Sequence, residues 1–161
     1  MTVREPSDSD FDLARRGDVA ALTSALDSGL SADARNSSGD SLLMLASYTG
    51  QLEAARLLLA RGADTEAANN RGLSPLAGVA FKGAVPMAKL LLEHGARANV
   101  AAPDGKTPLM FAAMFDHLEM CRVLVAAGAQ PGKKDAAGAT ACELARSMGS
   151  RRAVEYLATF P

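Results

Sequence analysis

The sequence has no tryptophan, two cysteines and only seven aromatic residues among its 161 residues. Cys121 and Cys142 are too few for a disulfide-rich scaffold, and we interpret both as buried, reduced thiols. No apolar run approaches the roughly 18 residues that a membrane-spanning helix requires, so we expect no membrane insertion. The first residues also lack the apolar core of a secretory signal peptide. Together these absences predict a cytoplasmic protein.

A strong charge of one sign is also absent, since the formal net charge is −1. The sequence has no concentrated basic stripe and its pI is about 6.1, which argues against nucleic acid as a partner. The two halves nevertheless differ. Residues 1–80 carry seven basic and eleven acidic side chains, whereas residues 81–161 carry ten basic and seven acidic ones. Such a gradient can orient a charged protein partner.

Glycine, in contrast, recurs at a fixed interval of 33 residues along nearly the whole chain. Twelve of the 14 glycines form three ladders with this step, and only Gly78 and Gly132 lie outside them. The ladders are Gly39, Gly72, Gly105 and Gly138; Gly29, Gly62, Gly95 and Gly128; and Gly17, Gly50, Gly83 and Gly149. Asp116 takes the missing place in the third ladder, and aspartate tolerates a left-handed backbone better than most residues. A constant period of this length is typical of one supersecondary unit copied along a stack.

The residues between the ladders predict two helices and a loop in each unit. A hydroxyl residue follows each first-ladder glycine by two positions, which predicts a helix N-cap. These residues are Ser41, Ser74, Thr107 and Thr140. First helices are therefore expected over residues 42–49, 75–82 and 108–115. Leucine-rich second helices follow and end at the second-ladder glycines, and about ten residues rich in Ala, Asn, Asp and Gly then predict a hairpin-like turn.

Two kinds of stretch resemble the ankyrin repeat family. The openings read GLSPL at residues 72–76 and GKTPL at residues 105–109, and a closing reads LLLARGAD at residues 57–64. They are similar to the G-x-T-P-L-H opening and the L-L-x-x-G-A-D closing of that family. The resemblance covers roughly residues 11–158. It implies an all-α ankyrin-repeat solenoid of about five helix–turn–helix units with projecting β-hairpin-like loops.

The period divides the chain into a disordered lead-in over residues 1–10 and a repeat domain over residues 11–161. We expect a partial N-terminal repeat at 11–35, full repeats at 36–68, 69–101 and 102–134, and a capping repeat at 135–161. The outer repeats are the more polar ones, as expected where one face has no neighbour. The family's histidine after T-P-L is Met44, Ala77, Met110 and Glu143 here. Without its hydrogen bonds we expect softer loops.

One position inside a first helix departs from the repeat. Gly78 stands where the other repeats carry Leu45, Phe111 and Leu144, and Val79 follows it in place of a small alanine. The missing side chain predicts a space in the helix over residues 75–82, and glycine weakens a helix relative to alanine. We therefore expect this helix to open more readily than its neighbours.

Residues that could carry catalysis are few and scattered. His94 and His117 have no Cys, Asp or second His at the spacing of a metal site or a catalytic triad. Cys142 replaces a core leucine of the repeat, so packing explains it. The glycine spacings are those of the repeat, and no phosphate-binding G-x-x-x-x-G-K motif occurs. We predict no enzyme activity, no cofactor and no metal.

The candidate functional residues lie where the family resemblance implies a concave surface, lined by the first helices and the loop tips. Positions nine and ten after each first-ladder glycine face that groove in the family. Tyr48, Phe81, Met114 and Phe115 occupy these positions in the central repeats, and Leu73 adds an apolar loop tip. Exposed apolar groups that cluster mark interaction sites, so we predict these as partner-binding residues. The predicted rim residues are Arg15, Arg16, Asp40, Lys82, Lys106 and Met148.

Two questions stay open at the level of sequence. The groove side chains could instead pack sideways onto neighbouring repeats and shield the core. The predicted function is a non-catalytic protein–protein interaction module, a monomer that binds a partner protein through its concave face. The alternative is a regulatory or inhibitory subunit that covers the active site of a partner enzyme.

Overall fold

The computed structural model describes residues 2–161, which form ten α-helices in five consecutive pairs. The helices are α1 (Asp8–Arg16), α2 (Val19–Asp27), α3 (Leu42–Tyr48), α4 (Leu52–Ala60), α5 (Pro75–Lys82), α6 (Val85–Glu93), α7 (Pro108–Met114), α8 (Leu118–Ala126), α9 (Ala141–Met148) and α10 (Arg151–Leu157). Between pairs the chain forms turns, with isolated antiparallel bridges such as Arg35 to Ser41 and no sheet in the described residues. The predicted all-α solenoid of five helix–turn–helix units is confirmed.

The helices pack in two layers. The first helices of successive repeats (α1, α3, α5, α7 and α9) lie side by side, and so do the second helices. Leucines in register fill the space between the layers. Leu58, Leu91, Leu124 and Leu157 are each at most 3% exposed. Because each repeat packs mainly on its neighbours, the stack has one continuous core.

The predicted N-caps are present in four successive first helices. The hydroxyl of Ser41 accepts a hydrogen bond from the Met44 amide at 3.0 Å. Ser74, Thr107 and Thr140 accept the equivalent bond. Each hydroxyl satisfies an amide that has no partner within the first helical turn, which is why α3, α5, α7 and α9 start at the same register.

All twelve ladder glycines have a positive φ, as the turn prediction requires, and Asp116 has a φ of 57°. At Gly83 the space is restricted as well, because an added Cβ would lie 2.6 Å from Nδ1 of His117. Asp116 also fastens the last repeat. Its carboxylate accepts from the Ala153 amide at 2.8 Å and from Nε of Arg152 at 3.0 Å.

Neighbouring loops are joined by hydrogen bonds that do not need the family's histidine. The Asn70 amide donates to the Ser38 carbonyl at 3.0 Å, and the Ala136 amide donates to the Asp104 carbonyl at 2.9 Å. A second row of side chains accepts from the backbone amide 31 residues further on. This row is Asp33, Glu66 and Asn99. These bonds join neighbouring loops in place of those that the family's histidine would form. The softness of the loops stays a prediction.

The N-terminal segment differs from the predicted disordered lead-in over residues 1–10. Helix α1 begins at Asp8, and the Arg4 amide donates to the Gly29 carbonyl at 3.0 Å. The Arg4 guanidinium donates to both carboxylate oxygens of Asp10, at 2.6 and 2.9 Å, and these bonds lower the pKa of Asp10 to about 2. The Ser/Asp run that suggested disorder is instead a capping box between Ser7 and Asp10. Met1 lies outside the described residues.

Candidate partner-binding surface

The predicted groove residues lie on one surface, which we call the helix-1 face: the outward side of the first helices together with the loop tips. Tyr48 is 42% exposed, Phe81 39% and Phe115 42%, and the predicted rim residue Met148 beside them is 52% exposed. Only two other large apolar side chains in residues 2–161, Val3 and Val19, are exposed. The 33-residue period and the shared N-cap register place these residues at the same end of successive first helices. Among the other predicted groove residues, Met114 and Leu73 are half-buried.

Each exposed aromatic ring also contacts a neighbouring repeat. The Phe81 and Phe115 rings meet edge to face with their centroids 4.7 Å apart. The Lys82 ammonium lies 4.7 Å from the centroid of the Tyr48 ring. His117 has its Nε2 at 2.9 Å from the Phe81 carbonyl, which can only accept, so Nε2 donates. Sideways packing onto neighbouring repeats therefore occurs, and it leaves about two fifths of each aromatic side chain exposed.

A gap interrupts the helix-1 face in its middle. The row of first-helix residues runs Leu45, Gly78, Phe111 and Leu144, and no side chain fills the second place. Two cavities of about 160 and 200 Å³ lie there, and both are lined by Tyr48, Leu73 and Gly78. The Tyr48 ring leans over the gap, since its Cδ2 would be 3.3 Å from a Cβ added at Gly78. The predicted space exists, and Tyr48 covers part of it.

The predicted rim residues differ in how far they are already engaged. Lys106 donates to Asp104 at 2.9 Å and lies 3.8 Å from Asp135. The hydrogen bond with Asp104 raises the pKa of Lys106. Arg15 is paired with Asp12 at 2.6 Å. The carboxylate of Asp40 accepts from the Asn69 amide group at 2.9 Å.

Arg16 and Lys82, the remaining charged rim residues, are exposed and form no ion pair within residues 2–161. Both cations can therefore pair with acidic groups of a partner protein.

Sequence reasoning missed Arg71, which lines both cavities. It is exposed, and in the described part of the chain its side chain has no ion-pair partner. It directly precedes the first-ladder glycine Gly72, so it lies on the loop and outside the first helix that carries the other candidate residues. The available signal was that the other repeats carry no cation there: the equivalents are Ser38, Asp104 and Ala137.

Potential metal ligands and the two cysteine thiols are the other groups on the chain that could carry chemistry. In residues 2–161, no three His, Cys, Asp or Glu side chains come together as a metal site would require. Burial raises the pKa of the Cys121 thiol to about 12, which keeps it protonated at neutral pH. Cys142 is half-buried, so the expectation that both thiols are buried is corrected. It lies on α9, the last of the first helices in the described residues. Within the same range, no helix is long and apolar enough to cross a membrane.

Stacked helix pairs, hairpin-like loops and a 33-residue register define a repeat protein of the solenoid class. The family model "Ankyrin repeats (3 copies)" matches residues 11–102 and 79–160, so the chain belongs to the ankyrin repeat family. It is also similar to an ankyrin repeat protein of Pseudomonas aeruginosa, with 53% identity over 47 residues. That match covers 29% of this chain and 28% of the relative. Ankyrin repeats are generally protein–protein interaction modules and typically have no catalytic role.

Proposed function

We propose that this protein is a non-catalytic module that binds a partner protein through its helix-1 face. The observation that carries the proposal is the clustering of exposed apolar side chains. Four of the six large apolar side chains that are exposed in residues 2–161 lie on this face: Tyr48, Phe81, Phe115 and the predicted rim residue Met148. Aromatic residues and methionine are enriched at the cores of protein interfaces, where a few such anchors supply most of the binding energy.

The surrounding residues support the same assignment. Met114 and Leu73 extend the apolar surface, and the predicted rim residues Arg15, Arg16, Asp40, Lys82 and Lys106 surround it with charge of both signs. A polar rim around an apolar centre is the usual composition of a protein interface. The proposal includes a monomer in the cytoplasm: the end repeats are polar, and both cysteines are free.

Mapping the contact surface of a captured partner tests the proposal. The protein is used as bait in a lysate of its source organism, and the recovered complex is compared with the free protein by hydrogen exchange. We expect slower exchange in the loop tips around Leu73 and in α3, α5 and α7. Slower exchange confined to the second helices α4, α6 and α8 would place the interface on the opposite face and would contradict the proposal.

A further inference from the structure

We infer that the gap at Gly78 is a specificity pocket, which takes one large aliphatic or methionine side chain from an acidic segment of the partner. The inference rests on the proposed function, because it names the chemistry that the helix-1 face recognises. It adds a site, the Gly78 gap, and two cations beside it, Arg71 and Lys82.

Backbone geometry does not explain glycine at this position. Gly78 lies inside α5 and, unlike the twelve ladder glycines, does not have a positive φ. The equivalent residues Leu45, Phe111 and Leu144 show that the first helix accepts a large side chain here. Glycine inside a helix is destabilising relative to alanine. The stack thus has a weakened helix and an unfilled place on its exposed face.

The space suits a side chain of moderate size. The two cavities measure about 160 and 200 Å³, and Tyr48 lines both. An apolar cavity of about 150 Å³ is large enough to hold a benzene molecule, so a leucine, isoleucine or methionine side chain fits. Apolar atoms dominate the walls, which Met44 and Leu45 form on one side and Phe81 and Phe111 on the other.

The charge beside the gap predicts which residues flank the bound side chain in the partner's segment. Arg71 lines both cavities, and Lys82 lies over the Tyr48 ring at 4.7 Å. Neither has a carboxylate partner within residues 2–161. One carboxylate, Asp40, lines the gap, and it accepts a hydrogen bond from Asn69, which carries no charge. Two cations beside one carboxylate leave a net positive charge, and its complement is a segment with Asp or Glu close to the apolar side chain.

The probe is a displayed library of random 12-residue peptides, selected on the full-length protein. Enriched peptides should carry Leu, Ile or Met with Asp or Glu within about three positions. A synthetic peptide of the enriched sequence should bind Gly78→Leu at least about tenfold more weakly, because the new side chain fills the gap. Gly132→Leu is the matched control and should bind as wild type does, since Gly132 is exposed, has nothing within 4 Å of an added Cβ and lies outside the helix-1 face.

Two further variants test the size of the pocket and the charge beside it separately. Gly78→Ala fills the gap only in part and should weaken binding less than Gly78→Leu, which guards against a folding defect in the larger variant. Arg71→Glu should weaken binding of the acidic peptide by about tenfold. It should bind more tightly a version of the peptide with Lys in place of the acidic residues. Thermal unfolding of each variant establishes that it is folded.

The outcomes distinguish this inference from the proposed function. Peptides that bind Gly78→Leu as well as wild type but are lost on Tyr48→Ala and Phe81→Ala would overturn the pocket and leave the proposed function intact. Enrichment of basic peptides would overturn the charge assignment, and no enrichment at all would overturn the pocket. Peptides that are insensitive to every helix-1-face variant would contradict both.

Discussion

At the scale of single residues, two ionic contacts that do not recur with the repeat period stabilise the first and the last helix pairs of residues 2–161. Arg4 connects the N-terminal segment to α1 through Asp10, whose side chain is only 6% exposed. At the other end, Asp116 accepts from Ala153 and Arg152 of the last repeat. These contacts join the N-terminal segment to α1 and the helix α10 to the preceding repeat.

Asp10 should make stability depend on acid pH. Its pKa is about 2 in the folded protein, below the ordinary value of 3.8, because Arg4 hydrogen-bonds its ionised form. A lowered pKa stabilises the fold fully above about pH 4, and this contribution is lost as the pH falls toward 2. We expect a loss of about 1–2 kcal/mol, since the half-exposed Arg4 is partly screened by solvent.

Urea unfolding between pH 2 and 6 measures this contribution. Asp10→Asn cannot ionise, so it should be less stable than wild type at pH 6 and should lose less stability on acidification. Parallel pH profiles for the two proteins would show that the Arg4–Asp10 pair does not stabilise the fold.

The two cysteines should differ in reactivity. The Cys121 thiol is buried and its pKa is raised to about 12, so almost no thiolate is present at pH 8. Cys142 is half-buried and accessible in part. Iodoacetamide should modify Cys142 at least about tenfold faster in the native protein, as measured by peptide mass spectrometry. Urea-unfolded protein is the control, in which both should react alike. Equal rates in the native protein would contradict the buried position of Cys121.

At the scale of elements, the first helices are alike in their caps and differ in their interiors. Helices α3, α5 and α7 each begin with a hydroxyl N-cap, and α5 alone among them contains glycine. Tyr48 from the preceding repeat covers that glycine in part. The weakest first helix of the three therefore lies under the candidate binding surface.

Amide exchange should identify α5 as the softest of these three helices. Glycine in a helix costs about 0.5–1 kcal/mol relative to alanine, so the amides of α5 should exchange faster than those of α3 and α7. Gly78→Ala should stabilise the protein by a similar amount, because the exposed Tyr48 ring can move to accept a Cβ at 3.3 Å. Native-state hydrogen exchange followed by mass spectrometry measures both effects. Exchange in α5 as slow as in α3 and α7 would contradict this account.

At the scale of the whole molecule, the repeat period made the fold predictable. A residue recurring every 33 positions carries the same local role each time, so glycine turns, hydroxyl caps and core leucines could be assigned from the sequence. Asp116 could be assigned as well, because its place in the ladder was known. The positions of Tyr48, Phe81 and Phe115 on one face followed from the same register.

Contacts that do not repeat were not predictable from the sequence. The pairing of Arg4 with Asp10 occurs once, and the polar composition around it predicts disorder and not an ion pair. Arg71 lies on a loop tip, where the direction of a side chain depends on the neighbouring loop and not on a helical register. The engagement of Lys106 with Asp104 and Asp135 likewise depends on the relative placement of two loops.

The central claim is that the aromatic residues of the helix-1 face bind a partner and contribute little to the fold. Tyr48→Ala, Phe81→Ala and Phe115→Ala should each change stability by only about 0.5–1 kcal/mol, because the side chains remain about two fifths exposed. Loss of a central anchor should cost about 2 kcal/mol or more in binding. The matched controls on the second helices, Arg56→Ala and Lys89→Ala, should change neither property.

The most direct measurement is therefore thermal unfolding and partner capture on the same five variants. We predict that the three aromatic variants unfold within a few degrees of wild type and lose most of the captured partner. The two controls should unfold and capture the partner as wild type does. Aromatic variants that unfold many degrees earlier and still capture the partner at the wild-type level would contradict it, and would assign these side chains to the core.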